Sequence, residues 1–240
     1  MILELDCGNS LIKWRLLAGS AVVQRGKVAD LGGLAAVVRG IGVVRKVRVC
    51  SVRDENFAVQ LRQLLSGVTT QQLWAASQQQ LAGVTNGYPE YWKLGVDRWL
   101  ALVAGYNRSA HGCLVIDCGT ALTADFVTAS GQHLGGVIAP GLRLLRQSLV
   151  GSTALQVREE QGLGCVEPGE NTGAAIGAGI AAMVQGFMAR QLASAESLLG
   201  SGYQVWLTGG DAQVLLGCCP DALVVEDLLF EGLGYLQVEE

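Results

Sequence analysis

The triplet Asp-Cys-Gly occurs twice, at 6–8 and at 117–119, and the residues around both copies follow one plan. Ile2 to Asp6 reads as a short apolar strand broken by Cys7-Gly8-Asn9-Ser10. A second strand follows over Leu11 to Leu17, then a turn at Gly19-Ser20 and a third strand through Val22 and Val23. From Leu114 the pattern returns: an apolar strand into Asp117-Cys118-Gly119-Thr120, a strand from Leu122 to Val127, a turn at Ser130-Gly131, and a strand from His133 to Ile138. Self-similarity over about 25 residues, with the turns keeping the offset of the triplets, predicts two related halves.

Between and after these hairpins the pattern alternates. Helical spacing covers Leu31–Arg39, Asn56–Leu65, Asp97–Asn107, 142–150 and Thr172–Leu199, and a last helix begins near Asp227. Lys46–Val52, Leu73–Ala75 and Gln204–Leu207 read as strands. Hairpins followed by strand–helix alternation predict an α/β fold with mixed sheets. The polar break at Asn107, Arg108, Ser109 and Gly112 places the boundary there, giving halves 1–108 and 109–240.

Composition narrows the class. Half of the residues are hydrophobic and 16% are charged, which excludes intrinsic disorder. A formal charge of −4 argues against a nucleic-acid partner, whose affinity depends on neutralising phosphates. The basic cluster Arg45, Lys46 and Arg48 alternates with valines and reads as a solvated strand face. No apolar run reaches the roughly 18 residues of a membrane span, and acidic Glu4 and Asp6 stand where a signal peptide carries positive charge. Seven cysteines without framework spacing read as reduced thiols of a cytoplasmic protein.

Both Asp-Cys-Gly turns suit phosphate. Each sets a carboxylate at a strand end, then a glycine that lets backbone N–H groups approach an anion, then small hydrogen-bonding side chains. Asp6 can serve Mg²⁺, an ion that takes one or two carboxylates plus substrate phosphates. Lys13 offers a cation to the phosphate chain. Alone, either turn is an ordinary hairpin start. Together, one in each half, they can clamp a triphosphate across a cleft. Leu207-Thr208-Gly209-Gly210-Asp211-Ala212, after a strand, supplies a third glycine-rich turn; by itself it is a loop with Asp211 as a helix cap.

Paired Asp-x-Gly turns and this late turn are similar to the phosphate and adenosine motifs of the acetate and sugar kinase/Hsp70/actin superfamily. That resemblance implies two duplicated ribonuclease H-like (actin-like ATPase) domains, each a mixed five-stranded sheet flanked by helices, with an interdomain cleft. Further motifs are more discriminating: Asn86-Gly87-Tyr88, Gly95-Val96-Asp97-Arg98, the loop Gly135 to Gly141, Asn171-Thr172, and the opening Asp-x-Gly-Asn-Ser-x-x-Lys. In order and along the length of the chain they resemble type III pantothenate kinases; Ser10 stands where threonine is common. The segment from about 150 to 170 matches none of these motifs.

The resemblance implies ATP-dependent phosphorylation of pantothenate, the opening step of coenzyme A synthesis, by a homodimer. It assigns Asp6, Cys7, Gly8, Asn9, Ser10, Leu11, Ile12, Lys13 and Thr120 to ATP with Mg²⁺, and Asp117 to a monovalent cation, K⁺ or NH₄⁺. It makes Asp97 the base, and Tyr88, Gly95, Val96, Asp97, Arg98 and Thr172 the pantothenate contacts, Thr172 across the dimer. From chemistry alone Asp97-Arg98 is equally a helix cap with a neighbouring cation, whereas a guanidinium also matches a substrate carboxylate. Two other readings stay open: a small-molecule kinase with another acceptor, and a nucleotide-binding regulator resembling a transcription accessory factor. Two halves joined near residue 110 also suit hinge closure.

Other signals fail in context. Gly177-x-Gly179-x-x-Ala182 has no strand before it, so it reads as a close-packing helix face. Gly26-Lys27 lacks the remainder of a Walker loop, and neither histidine lies in a zinc-protease motif.

Overall fold

In a computed structural model of the chain, residues 1–109, 111–151, 163 and 166–236 are described. Most of the segment from 150 to 170 lies outside that set, as does Cys165. The six described cysteines are free thiols. The chain packs as two compact units.

The first unit comprises Met1–Ala82, Tyr88–Ala104 and the chain from Leu228 onward. Strands β1 (Ile2–Cys7), β2 (Ile12–Ala18) and β3 (Ala21–Val28) form an antiparallel meander, and β4 (Lys46–Ser51) and β5 (Gln72–Trp74) add parallel strands in the order β3-β2-β1-β4-β5. The connections are helices α1 (Leu31–Ile41) and α2 (Glu55–Ser66). Asp30 and Asp54 start them by accepting the N–H of Gly33 and Phe57, each at 2.8 Å, caps that are each worth about 1 kcal/mol. Alternation along β1 sends Leu3, Leu5 and Cys7 into an apolar layer with Leu34, Val38, Leu61 and Leu65.

The opposite face of β1 carries Glu4 and Asp6. Glu4 is wholly buried, accepting from Arg15 Nε at 2.6 Å and Arg48 Nη1 at 2.9 Å. Arg48 therefore corrects the reading of its cluster as a solvated face: Arg45 is exposed, but Arg48 turns inward because a buried carboxylate on the neighbouring strand needs a counter-charge.

Helix α3 (Val96–Arg108) begins in this unit, and the division between units falls between Ala104 and Gly105. The short helix α7 (Leu228–Leu233) also packs here, against β1 and β4. Residues 228 onward were assigned by sequence to the second half. They return to the first because Phe230 and Leu233 share an apolar cluster with Cys50 and Leu100, and the Arg15 guanidinium sits 4.9 Å from the Phe230 ring centroid.

The second unit comprises Gly83–Gly87 and Gly105–Asp227. The two-residue strands β6 (Gln80–Leu81) and β7 (Val84–Thr85) precede α3 in the chain. The second sheet repeats the first: meander β8 (Cys113–Cys118), β9 (Ala121–Val127), β10 (His133–Pro140), then parallel β11 (Gln204–Thr208) and β12 (Leu223–Val224), ordered β10-β9-β8-β11-β12. Helices α4 (Leu142–Gly151), α5 (Thr172–Leu199) and α6 (Ala212–Leu215) complete it. Leu114, Ile116, Leu122, Ala124 and Phe126 pack against Ile180, Val184 and Met188 of α5. By length and composition α5 can cross a membrane, contrary to the expectation that no run is long enough. Its glycines and alanines do not interrupt the helix, and a row of its larger side chains lies in this unit's core.

Candidate active site

Duplication puts the two aspartates at equivalent places, each the penultimate residue of its central strand. In the first unit Asp6 pairs in register with Lys13 across the meander and with Cys50 on the parallel side; in the second, Asp117 pairs with Thr123 and Thr208. The turns differ in length, since four residues separate β1 from β2 but only Gly119 and Thr120 separate β8 from β9.

In the first turn Asn9 and Ser10 are exposed, and Lys13 Nζ lies 3.9 Å from Asp6 Oδ2. Cys7 and Ile12 are in the core, so only their backbone is left for a ligand. Burial pushes the Cys7 thiol up to about 12, which suits a structural role. Leu11 is partly exposed.

The Gly95–Arg98 motif lies in the same unit. Val96 and Asp97 open α3, and the Arg98 N–H donates to Asp97 Oδ1 at 2.8 Å. A Cβ on residue 95 would stand 2.7 Å from that oxygen, so glycine there leaves room for the carboxylate. The Arg98 side chain is largely buried; its Nη1 donates to the Tyr88 hydroxyl at 3.2 Å. Asp97 is near enough to Asp6 for its charge to act on it. Burial raises the Asp6 carboxyl from 3.8 to about 6, Lys13 opposes the rise, and Asp97 adds to it. Asp6, Lys13 and Asp97 thus form one electrostatic group, with Arg98 and Tyr88 joined to Asp97 through its neighbour.

In the second unit the glycine-rich turn after β11 is set against the second Asp-Cys-Gly turn. Asp211 N–H donates to the Cys118 carbonyl at 2.9 Å. Gly209 has φ +90°, and a Cβ there would meet Asp117 Oδ1 at 2.4 Å. Only glycine permits both that backbone conformation and that approach. Thr120 closes the group, its carbonyl accepting from Gly141 N–H at 3.0 Å. Thr172, the first residue of α5 after the Asn171 cap, is exposed and makes no hydrogen bond to another site residue among the described residues.

Two features had no sequence signal. Buried His133, dismissed by its lack of a metal motif, shares a hydrogen bond with Asp125 through Nε2 at 3.0 Å and accepts the Gly87 N–H on Nδ1 at 3.3 Å, anchoring the residue before Tyr88. Arg53 reaches the Gly8 carbonyl from the segment after β4. Both contacts join residues about 45 positions apart, where no local pattern reports them.

Two sheets of this duplicated topology, each with an Asp-Cys-Gly turn after its first strand, define an actin-like ATPase fold of the kind used by sugar and small-molecule kinases. A crystallised Campylobacter jejuni protein provisionally named a Baf family transcriptional activator superposes with TM-score 0.63 at 19% identity, covering 97% of this chain and 95% of its own. A Sinorhizobium meliloti protein provisionally named a 2-dehydro-3-deoxygalactonokinase gives 0.56 at 14%, covering 98% and 97%. At those identities the likeness is one of fold. The family is shown by sequence: the family model for type III pantothenate kinase matches residues 2–194. A type III pantothenate kinase of Ectopseudomonas mendocina is 45% identical over 242 residues, with 98% of each chain covered. The chain belongs to the type III pantothenate kinases.

Proposed function

We propose that this chain transfers the γ-phosphoryl group of ATP to the pantoyl hydroxyl of pantothenate, with Asp97 as the base. The observation that carries this reading is the grouping of Asp97 with Asp6 and Lys13 in the first unit, with the Arg98 backbone N–H on the Asp97 carboxylate and the Arg98 guanidinium on the Tyr88 hydroxyl. The hydroxyl proton passes to Asp97 as its oxygen attacks phosphorus, the bond to the bridging oxygen breaks, and ADP leaves. Arg98 and Tyr88 hold the substrate carboxylate end, and Gly95 and Val96 shape the approach.

The donor set suits Mg²⁺: one carboxylate, Asp6, in a turn with exposed Asn9 and Ser10. Asp6 would hold the ion, which when bound would supply positive charge to the phosphate chain. Asp117, with its carboxylate against the Gly209 turn, is the position for a monovalent cation. Thr120 serves the nucleotide, and Thr172 meets substrate across a homodimer. The free thiols of the described cysteines suit the cytoplasm.

Purified protein with ATP, Mg²⁺ and K⁺ is expected to release ADP only when pantothenate is present and to yield 4′-phosphopantothenate by mass. Folded protein that binds ATP without pantothenate-dependent turnover would count for another acceptor or for a nucleotide-binding regulator.

Asp6 makes nucleotide binding pH-dependent. Its folded value of about 6 lies above the ordinary 3.8, so between these the folded protein holds a proton that the unfolded chain has released. On this group alone, stability of the free protein falls as pH rises through that window, by at most about 3 kcal/mol. Binding that needs the carboxylate must expel the proton below pH 6. The dissociation constant for MgATP should weaken about fivefold between pH 6 and pH 5, with proton release in calorimetry that depends on the buffer. Affinity unchanged across that range would remove Asp6 from the metal and phosphate side.

A further inference from the structure

The first phosphate turn is held by a residue outside it. In register, Cys7 on β1 faces Ser51 at the end of β4, and the Val52 N–H donates to the Cys7 carbonyl at 3.3 Å. This carries the next residue, Arg53, to the mouth of the turn, where its Nε–H donates to the Gly8 carbonyl at 2.8 Å. Its guanidinium carbon lies 4.6 Å from the centroid of the Phe57 ring, on the first turn of α2. Asp54 between them is engaged as the cap of that helix through the Phe57 N–H.

Arg53 is therefore fixed at its Nε and across its face, while its two terminal nitrogens make no hydrogen bond among the described residues. Arg53 lines a pocket of about 420 Å³ together with Asn9 of the turn, Val52, Asp54, Asn56, Phe57 and Gln60. Charge gives that placement its meaning. Within the Asp6, Lys13 and Asp97 group the only cation is Lys13, against two carboxylates. A triphosphate brought to this turn adds several negative charges, and a second fixed cation at its mouth offsets them. Guanidinium suits this role because it can hold a carbonyl through one edge and offer two more N–H groups to an anion through another.

We propose that Arg53 is a positioning residue for the ATP phosphates: it holds the Gly8 carbonyl so that the turn keeps its phosphate-accepting shape, and it presents positive charge beside Asn9. The proposal rests on the reading of Asp6–Lys13 as the ATP turn. It places this role on the segment after β4, outside the motifs by which the turn was recognised.

The test uses the full chain and three variants, with ATP binding by calorimetry, steady-state kinetics in both substrates, and thermal unfolding. Arg53→Ala should weaken ATP binding about tenfold and raise KM for ATP in step, leaving KM for pantothenate and the unfolding midpoint near wild type. Arg53→Gln can donate to Gly8 without the charge, and Arg53→Lys keeps the charge without the fork; both should fall between, and they stand in if the alanine variant does not fold. ATP affinity within about twofold of wild type in all three variants overturns the proposal while leaving the ATP turn intact. So does a parallel loss of both substrates and of stability, the mark of a merely structural residue. Wild-type protein that binds no ATP overturns the turn's assignment, and the proposal with it.

Discussion

Asp97→Asn should lower turnover with pantothenate by about 10²- to 10⁴-fold, the usual contribution of a positioned general base, while the protein stays folded and binds both substrates. The exchange suits the site. Asparagine fills the same space beside Gly95, and its Oδ1 still accepts the Arg98 N–H that the carboxylate accepts at 2.8 Å. What it lacks is a basic oxygen for the hydroxyl proton. A second consequence separates this variant from one that disturbs the fold. Part of the rise in the Asp6 carboxyl comes from the charge of Asp97, so the asparagine should move that titration downward from about 6. The acid limb of MgATP binding should shift the same way, although burial, the larger cause, keeps it above 3.8. Steady-state kinetics and a pH series of ATP binding read both effects. Turnover within about threefold of wild type would take the base away from Asp97.

The sequence was most informative where function and local structure coincide. The repeat of Asp-Cys-Gly at strand ends was visible because a hairpin's strands and turn are adjacent in the chain, and the structure carries it into two sheets of identical strand order. The first two helices were legible from apolar spacing, read over Leu31–Arg39 and Asn56–Leu65, although the aspartate caps Asp30 and Asp54 that start them were not singled out. Contacts over long separations were hidden. Alternating valines led Arg48 to be read as solvent-facing, and only the neighbouring strand, with Glu4 buried on it, turns it inward. The last helix looked like part of the half it follows, because nothing local in Phe230 or Leu233 says which sheet they cover. For the same reason Asp97, Tyr88 and Arg98 were found as a motif, whereas Arg53 and His133, which hold site backbone from distant parts of the chain, were not.

Glu4→Ala should destabilise the protein by about 3–5 kcal/mol, the range for breaking a buried ion pair from one side. In β1, read from sequence as simply apolar, this carboxylate has no exposed surface and is the shared acceptor of Arg15 and Arg48. Its removal leaves two largely buried guanidiniums facing each other across an empty space. Arg15 also lies over the Phe230 ring, so the loss extends to the contact that seats α7. Apolar replacement of all three charged residues removes the repulsion together with the attraction, and such exchanges are often neutral or better. The triple variant Glu4→Leu, Arg15→Leu, Arg48→Met should therefore be more stable than Glu4→Ala alone, although it removes more contacts. Urea unfolding of the single and triple variants tests this through midpoints at constant m-value. A single variant within about 1 kcal/mol of wild type would mean that water reaches the arginines once the carboxylate is gone. A triple variant less stable than the single would mean that the network contributes more than charge compensation, by fixing the packing of β1, β2 and β4 beneath the Asp6 turn. The same samples supply an ATP affinity. Because Glu4 and Asp6 share one face of β1, two residues apart, a loss of ATP binding in the triple variant at full stability would show that this buried network sets the position of Asp6 as well as the strength of the fold.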